Sequence, residues 1–207
     1  MKNEIKNFKR EELFNQYNSK TNAFSFVTVN VDITNLYKLG KLKGTQYGVI
    51  TYYISKVVNT IDTFKMRYED GKYIHYDIIH PNYTEKLDDD LIGFFDHDYS
   101  EDLDMFLDNY KKRLKAFKMK RESFCNHEQD AFWVSCQPWY SFTSLIPPFD
   151  NSVTIPQFIW DKFRFNDNRV SMNLMIMAHH GFVDGYQIGL FINRFQEEIN
   201  RINVNEE

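Results

Sequence analysis

Residues 170–199 read VSMNLMIMAHHGFVDGYQIGLFINRFQEEI, and two hydrophobic periods meet within this stretch. In Val170–Ala178 apolar side chains recur at every second position, which predicts a β-strand. From Asp184 onward they recur at helical spacing, and because Asp is a favoured N-cap residue we expect a helix to begin there. Between the two elements, Gly181 and Gly185 are expected to permit a tight turn.

The turn carries a histidine that is a candidate proton acceptor. If the parity of the strand persists, His180 projects toward its more apolar side, where loss of water favours a neutral imidazole. An imidazole with an ordinary pKa of about 6.5 exchanges protons readily near neutral pH. The alternative is structural, because a histidine at the end of an apolar strand is more often a packed core residue. Asp184 would then be only a helix cap, and the residues of the turn leave both interpretations open.

The chain on either side of this stretch predicts interleaved strands and helices. Glu69-Asp70-Gly71 between two alternating runs is a strong signal for a β-hairpin. The pattern predicts the α/β class, with a mixed sheet and flanking helices in a single domain over residues 1–207, in which residues 1–7 are an arm. The other elements expected are helices at 8–17, 49–61 and 102–118, and strands at 24–33, 64–68, 72–79, 91–95, 131–136 and 157–165.

Composition excludes several classes of protein. A chain of 207 residues with 43% hydrophobic residues can bury a full core and is not a disordered chain. A net charge of −4 leaves no excess of Lys and Arg for a dedicated nucleic-acid binder. Cys125 and Cys136 are too few for a disulfide framework, the polar residues after Met1 are no signal peptide, and no apolar run is long enough for a membrane span. We therefore expect a cytoplasmic protein.

The motif HHxxxDG at residues 179–185 is the signature of acyltransferases that depend on coenzyme A or on a carrier. The chain resembles one family of them, the chloramphenicol acetyltransferases, from residue 8 to about residue 202, which implies the fold of that family. The resemblance rests on the following further segments: FKREELF (8–14), FKMRYEDGKYIHYDIIHPNYT (64–84), QPWYSFTS (137–144) and the last helix with Phe191, Ile192, Asn193 and Arg194. Relatives that carry two such units in one chain are roughly twice as long.

The resemblance implies an O-acetyltransferase that moves the acetyl group of acetyl-CoA to the primary hydroxyl of chloramphenicol and so causes antibiotic resistance. His180 would be the general base that takes the proton of the attacking hydroxyl. Ser144 would donate a hydrogen bond to the oxyanion that forms on the thioester carbon. Asp184 would pair with Arg10 and hold the turn that carries His180, and His179 would be structural.

Binding residues and an assembly are implied as well. Tyr47 and Lys162 match the region that binds coenzyme A, and acetyl-CoA is the expected co-substrate. Tyr17 and Phe94, with Phe95 as an alternative, match the acceptor pocket. A single unit implies a homotrimer with active sites between subunits, which binds a small-molecule acceptor and neither nucleic acid nor a membrane. No metal is expected, because the other histidines lie scattered without ligand spacing: His75, His80, His97 and His127.

Departures from the family pattern bear on the acceptor. Gln187 stands where the family often has a histidine, Ile159 aligns with a threonine that holds a water, and Gln157 falls where an apolar pocket residue is common. The segment LIPPFDNS (145–152) also lacks the usual Asn-rich stretch. The first hypothesis is therefore acetylation of chloramphenicol, and the second is the same chemistry on another alcohol or amine with little activity on chloramphenicol. The third is a binding protein without enzymatic activity.

Overall fold

The computed structural model describes residues 1–87 and 91–204. The elements, in chain order, are β1 (Lys2–Glu4), α1 (Glu11–Asn18), β2 (Phe24–Asp32), α2 (Thr34–Lys43), α3 (Gln46–Val58), a 3-10 helix (Asp62–Lys65), β3 (Met66–Glu69), β4 (Lys72–Tyr76), β5 (His80–Lys86), β6 (Ile92–Asp96), α4 (Leu103–Lys120), β7 (Ala131–Gln137), β8 (Gln157–Asp161), β9 (Arg164–Asn166), β10 (Arg169–His179) and α5 (Gly185–Asn200). Among the described residues, no helix has both the length and the apolar character needed to cross a bilayer.

The strands form a large sheet and a small one. The large sheet has the order β2-β10-β8-β7-β5-β6, and β9 pairs with β10 beside it. Strand β7 runs parallel to β5 and to β8, whereas the other pairs are antiparallel. The small sheet has the order β1-β4-β3. The predicted α/β class with a mixed sheet is confirmed.

Each face of the large sheet carries its own apolar cluster. Phe158 on β8 and Ile176 on β10 point to the helices and belong to the main core, where Phe158 lies 4.9 Å from the ring of Phe191 on α5. Burying side chains of this size stabilises the fold by about 1.5–3 kcal/mol each. Ile159 and Met175 point the other way, to what we call the open face, which the loop at residues 138–156 covers only in part. Strand alternation therefore divides the sheet into a helix-covered face and an open face.

Several elements differ from the sequence-based expectations. The segment 2–4, expected in an arm, pairs with β4 as an edge strand. Helix α2 was not expected; its N-terminus follows Asp32, whose carboxylate accepts from the backbone N–H of Thr34 at 2.9 Å. The predicted strand 157–165 is two strands, because the chain leaves β8 after Asp161 and returns as β9. Strand β5 was also not expected, and its sequence HPNYTEK has a proline at the second position.

Two core histidines are held neutral by their surroundings. Burial lowers the pKa of His97 to about 4, and burial with the nearby His180 lowers the pKa of His179 to about 4. The Nε2 atom of His97 lies 2.9 Å from the hydroxyl of Tyr83, and the backbone N–H of Gly181 donates to Nδ1 of His179 at 3.2 Å. Protonating either ring would place a charge among aromatic side chains.

This arrangement makes the fold sensitive to mild acid. Below the ordinary histidine pKa of about 6.5, His97 and His179 become protonated in the unfolded chain but stay neutral in the folded protein. Protonation therefore favours the unfolded state, and the free energy of unfolding falls as the pH falls. We expect the free energy of unfolding to drop by about 1 kcal/mol for each of the two between pH 6.5 and 5.5, because the unfolded imidazole is already half protonated at pH 6.5. Ordinary carboxylates stay ionised in this range. Urea titrations across this range measure the slope. Imidazole signals of His97 and His179 that titrate above pH 6 in the folded protein would contradict it.

Candidate active site

The turn between β10 and α5 is held by a single arginine side chain. Nη1 of Arg10 lies 3.0 Å from Oδ2 of Asp184, its Nε donates to the carbonyl of Gly181 at 3.2 Å, and its Nη2 donates to the carbonyl of His180 at 3.4 Å. Arg10 and Asp184 keep 22% and 36% of their side-chain surface exposed, so water screens their attraction. The planar fork of donors, which contacts three residues of the turn at once, therefore matters more than the charge.

Asp184 also begins the last helix. Its Oδ1 accepts from the backbone N–H of Tyr186 at 2.9 Å, and Oε1 of Gln187 accepts from the backbone N–H of Asp184 at 3.0 Å. This reciprocal pair is a capping box. Gln187, which the sequence marked only as a departure from the family pattern, is thus part of the helix cap. The spacing Asp-x-x-Gln was the signal that pointed to it.

The ring of His180 lies beyond the end of β10 and is half-buried. Its centroid is 4.1 Å from that of Tyr17, and its Nδ1 lies 3.3 Å from the carbonyl of Val183. The bond to Val183 therefore helps to fix the direction of the ring. The expectation that it continues the apolar side of the strand stays a prediction. Because a carbonyl only accepts, Nδ1 carries the proton and Nε2 has the free lone pair. Within residues 1–87 and 91–204, no group is bonded to Nε2.

His179 and Gly181 pack against the first helix. His179 is 1% exposed, and its ring stacks on Phe14 at 4.8 Å. A Cβ atom on Gly181 would lie 2.6 Å from Cδ2 and 2.8 Å from Cα of Phe14. Neither Gly181 nor Gly185 has a positive φ, so the turn does not depend on left-handed backbone angles at either position. Gly181 is required by the close approach of α1, whereas Gly185 faces open space.

The two glycines therefore respond differently to a methyl group. We expect Gly181→Ala to lower the free energy of unfolding by about 1–3 kcal/mol, because the Cα of Phe14 has to move. Gly185→Ala is the matched control and leaves stability unchanged or raises it by up to about 1 kcal/mol, since it adds a helix-forming residue without a clash. Urea denaturation of both variants measures the difference. Equal stabilities would show that α1 does not press on the turn as described.

Within the described part of one chain, Ser144 has no hydrogen bond to this turn. It is exposed in the 138–156 loop, which joins β7 to β8, and among the described residues no hydrogen bond joins it to His180. The loop does reach the start of β2, because Oδ1 of Asn151 accepts from the backbone N–H of Ala23 at 3.2 Å. Ala23 in turn accepts from the backbone N–H of His180 at 2.8 Å. The loop and the histidine turn are thus neighbours that share Ala23.

A cavity of about 640 Å³ opens on the open face of the sheet. Its lining includes Phe94, Trp133, Gln157 and Ile159, so one predicted acceptor residue and two of the departures from the family pattern lie together. The alternative Phe95 is fully buried in the main core instead. The residues His180, Tyr17 and Ser144 are not part of this lining. One chain therefore keeps its large cavity and its candidate base apart.

A second cavity, of about 350 Å³, lies beside the end of β8 and is mostly apolar. Tyr47 and Lys162, the two residues predicted to contact coenzyme A, both line it. The hydroxyl of Tyr47 lies 2.9 and 3.1 Å from the carbonyl oxygens of Thr84 and Val134, which share its one proton, and burial raises the pKa of Tyr47. Tyr47 therefore offers only its ring to a ligand, whereas Lys162 is exposed and offers a charge.

The structure brings together two histidines that the sequence left scattered. The rings of His80 and His127 stack at 3.8 Å, and ligand atoms of both lie within 4.8 Å of each other and of one from Asp98. His127 bonds to Asp98 and Asp130 at 2.9 and 3.1 Å, and the backbone N–H of Tyr99 donates to Nδ1 of His80 at 2.9 Å. A bound ion lies in the plane of each imidazole that ligates it, and parallel stacked rings do not share such a position. The geometry thus favours a hydrogen-bonded cluster over a metal centre.

Known proteins resemble this chain over nearly its whole length. A family model described as chloramphenicol acetyltransferase matches residues 1–196. A chloramphenicol acetyltransferase of Staphylococcus aureus is 29% identical over 209 residues, which cover 97% of this chain and 95% of that protein. Chloramphenicol acetyltransferase 3 of Escherichia coli is 28% identical over 203 residues, which cover 95% of each chain.

Solved structures show the same fold at lower identity. A chloramphenicol acetyltransferase superposes with a TM-score of 0.81 at 21% identity and covers 96% of this chain and 100% of that one. The truncated catalytic core of a 2-oxoacid dehydrogenase multienzyme complex from Thermoplasma acidophilum superposes with a TM-score of 0.71 at 14% identity, covering 96% of this chain and 97% of that chain. At these identities the likeness shows the fold alone.

Proposed function

The chain belongs to the chloramphenicol acetyltransferase family, and from that premise we propose that it transfers the acetyl group of acetyl-CoA to the primary hydroxyl of chloramphenicol. It is an acyltransferase by membership. The observation that carries the proposal is the state of His180, whose Nδ1 is tied to the carbonyl of Val183 at 3.3 Å while Nε2 stays free. A fixed tautomer with an open lone pair is what a general base needs.

The reaction then follows from this tautomer. Nε2 of His180 takes the proton of the acceptor hydroxyl while the hydroxyl oxygen attacks the thioester carbon. A C–O bond forms, and the carbonyl oxygen of the thioester becomes an oxyanion. Ser144 donates a hydrogen bond to that oxyanion. The tetrahedral intermediate collapses, the C–S bond breaks, and the coenzyme A sulfur leaves with the proton returned by the imidazolium. Arg10 and Asp184 hold the turn and so keep Nε2 in place.

A second subunit would complete this site. His180 lies at the β2 side of the large sheet, whereas the 640 Å³ cavity lies on β5, β6, β7 and β8. Large apolar side chains that remain exposed around the open face and the 138–156 loop suit burial against another copy: Ile92, Phe94, Trp139 and Ile146. We infer a homotrimer in which the cavity of one subunit faces His180 of the next. Light scattering on the purified protein tests this, and a monomer that is fully active contradicts it.

Acetyl-CoA would lie in the 350 Å³ cavity beside Tyr47 and Lys162. We expect Lys162→Ala to raise the KM for acetyl-CoA about three- to tenfold with kcat unchanged, because an exposed ammonium near phosphates contributes modestly. Lys112→Ala, an exposed lysine on α4, is the control that leaves KM unchanged. A Lys162→Ala variant with the KM of the parent would remove this residue from the cofactor site.

Thiol release from acetyl-CoA in the presence of chloramphenicol tests the reaction directly. We expect release to depend on chloramphenicol, and mass spectrometry to show one added acetyl group on its primary hydroxyl. Thiol release that chloramphenicol does not stimulate contradicts the proposed acceptor.

A different acceptor is the second candidate, and the cavity lining favours it. Gln157 brings a polar amide, and its Oε1 is buried without a hydrogen-bond partner among the described residues. Ile159 lacks the hydroxyl that the resemblance associates with a bound water. This candidate predicts that another alcohol or amine stimulates turnover more than chloramphenicol does. Protection of the protein by low concentrations of chloramphenicol would count against it.

The third hypothesis, a binding protein without activity, is not supported, because the family and the relatives are acetyltransferases. The single domain and the cytoplasmic location stay predictions. The same holds for the absence of a metal.

A further inference from the structure

Asp161, at the end of β8, is a fully buried carboxylate whose partners come from three segments. Its Oδ1 accepts from the backbone N–H of Asn173 at 2.7 Å. Its Oδ2 accepts from Nη1 of Arg164 at 2.8 Å and from the backbone N–H of Phe142 at 3.2 Å. The side chain of Asp161 is 0% exposed. Because an unpaired buried carboxylate is costly, this set of donors is what allows the charge to lie there.

The same cluster binds both backbone groups of Phe142, in the 138–156 loop. The backbone N–H of Phe142 donates to Oδ2 of Asp161, and Nδ2 of Asn173 donates to the carbonyl of Phe142 at 2.5 Å. Arg164 braces Asn173, because its Nη2 donates to Oδ1 of Asn173 at 2.9 Å. Directly after the end of β8, the backbone N–H of Lys162 donates to the carbonyl of Tyr140 at 3.2 Å. Side chains of β8, β9 and β10 thus hold a loop that has no strand pairing of its own.

Packing holds the loop on the other side. The Phe142 ring is 8% exposed and belongs to the open-face cluster with Ile159 and Met175, and Leu145 packs against the same cluster. Ser144 lies between these two contacts, is exposed, and has no hydrogen bond within the described part of the chain. Its hydroxyl is therefore placed by the backbone on either side of it and not by a partner of its own.

We propose that Asp161 and Asn173 are positioning residues for Ser144: they bind the backbone of Phe142 and so fix where the Ser144 hydroxyl meets the oxyanion. The inference rests on the proposed function, in which Ser144 is the oxyanion donor. Such a donor has to lie within about 2.7–3.1 Å of the oxyanion, and a displacement of about 1 Å costs on the order of 100-fold in rate. A loosened Phe142 would cause a displacement of that kind.

Asp161→Asn tests the link, because the side chain keeps its shape but has a single acceptor oxygen. Either Phe142 and Arg164 or the backbone N–H of Asn173 then lose their acceptor, and both outcomes loosen the cluster that binds Phe142. We expect kcat to fall about 10- to 100-fold while the KM for acetyl-CoA stays within about twofold. In a Ser144→Ala background, the same substitution should change kcat by less than about twofold, because the donor it positions is gone. A residue with only a structural role would cost the same factor in both backgrounds.

Asp96→Asn is the matched control. Asp96 is also 0% exposed, pairs with Arg113 at 2.8 Å, and accepts from the backbone N–H groups of Asn126 and His127 at 2.6 and 2.7 Å. Asp96→Asn should lower the free energy of unfolding about as much as Asp161→Asn does. Any effect of Asp96→Asn on kcat should be equal in the parent and in the Ser144→Ala background, because the segment it holds does not carry Ser144.

The outcomes separate this inference from the proposed function. Equal losses from Asp161→Asn with and without Ser144 overturn it. If Asp161→Asn does not fold, Asn173→Ala decides by the same cycle, because it removes the bond to the Phe142 carbonyl and leaves Asp161 paired with Arg164. Hydrogen exchange at the Phe142 amide gives a readout without activity. Faster exchange in Asp161→Asn supports the restraint even if the parent acetylates nothing, and unchanged exchange contradicts it.

Discussion

Replacing His180 with glutamine lowers kcat about 10²- to 10⁴-fold and leaves the KM for acetyl-CoA within about twofold. Glutamine can still donate an amide N–H to the carbonyl of Val183, which Nδ1 of the imidazole approaches to 3.3 Å, and it can still pack beside Tyr17. Its amide oxygen does not take a proton near neutral pH, so the acceptor hydroxyl has to lose its proton to water. Steady-state kinetics with acetyl-CoA and the best acceptor measure the effect.

The control for this substitution is His75→Gln. His75 lies on β4 in the small sheet, far along the chain from the turn, and its loss should leave kcat within about twofold. If His180→Gln turned over like the parent, proton transfer by this ring would be excluded, and the histidine would be structural as the first alternative held. A loss of similar size in His75→Gln would point to a general effect on folding.

Removal of the Ser144 hydroxyl is the second large effect. We expect Ser144→Ala to lower kcat about 10²- to 10³-fold, since an oxyanion donor contributes about 2.7–4 kcal/mol to the transition state. Ser144 is exposed and makes no hydrogen bond within the described residues. The free energy of unfolding of the Ser144→Ala protein should therefore differ from that of the parent by less than about 0.5 kcal/mol. We thus expect Ser144→Ala to lose rate without losing stability. Chemical denaturation measures the stability and steady-state kinetics measure the rate, both on the same preparation.

Two neighbouring substitutions make the serine result specific. Ser144→Thr keeps a hydroxyl on the same backbone and should recover part of the lost rate. Thr143→Val removes an exposed hydroxyl from the preceding residue and should cost little. Equal losses in Thr143→Val and Ser144→Ala would mean that the loop as a whole, and not one donor, supports the reaction.

The elements that sequence periodicity predicted well are those whose pattern is local. Strand β10 and helix α5 were expected within one or two residues of their observed bounds, because alternation and helical spacing are properties of neighbouring residues. Helix α2 was missed although it buries Leu36 and Leu39, since ten residues with few apolar positions give a weak period. Strand β5 was missed for a related reason, because its sequence HPNYTEK does not alternate.

The candidate site divides in the same way. The resemblance supplied His180, Arg10 and Asp184, and the observed fork of Arg10 around the turn agrees with the expected pairing. No local pattern predicts that pairing, because the two residues are 174 positions apart. The cluster around Asp161 had no signal at all, since its members look like ordinary polar residues at the end of a strand.

By itself the sequence determined where the chain forms its last strand and helix, that a histidine stands between them, and the family to which it is similar. The tertiary structure alone decided which nitrogen of that histidine is free, why a glycine must follow it, and which buried carboxylate holds the serine loop. The physical reason is range. Hydrophobic periods and helix caps depend on residues a few positions apart. The register of β8 beside β10 and the packing of α1 against the turn bring together side chains that are far apart in the sequence, and no spacing predicts those contacts.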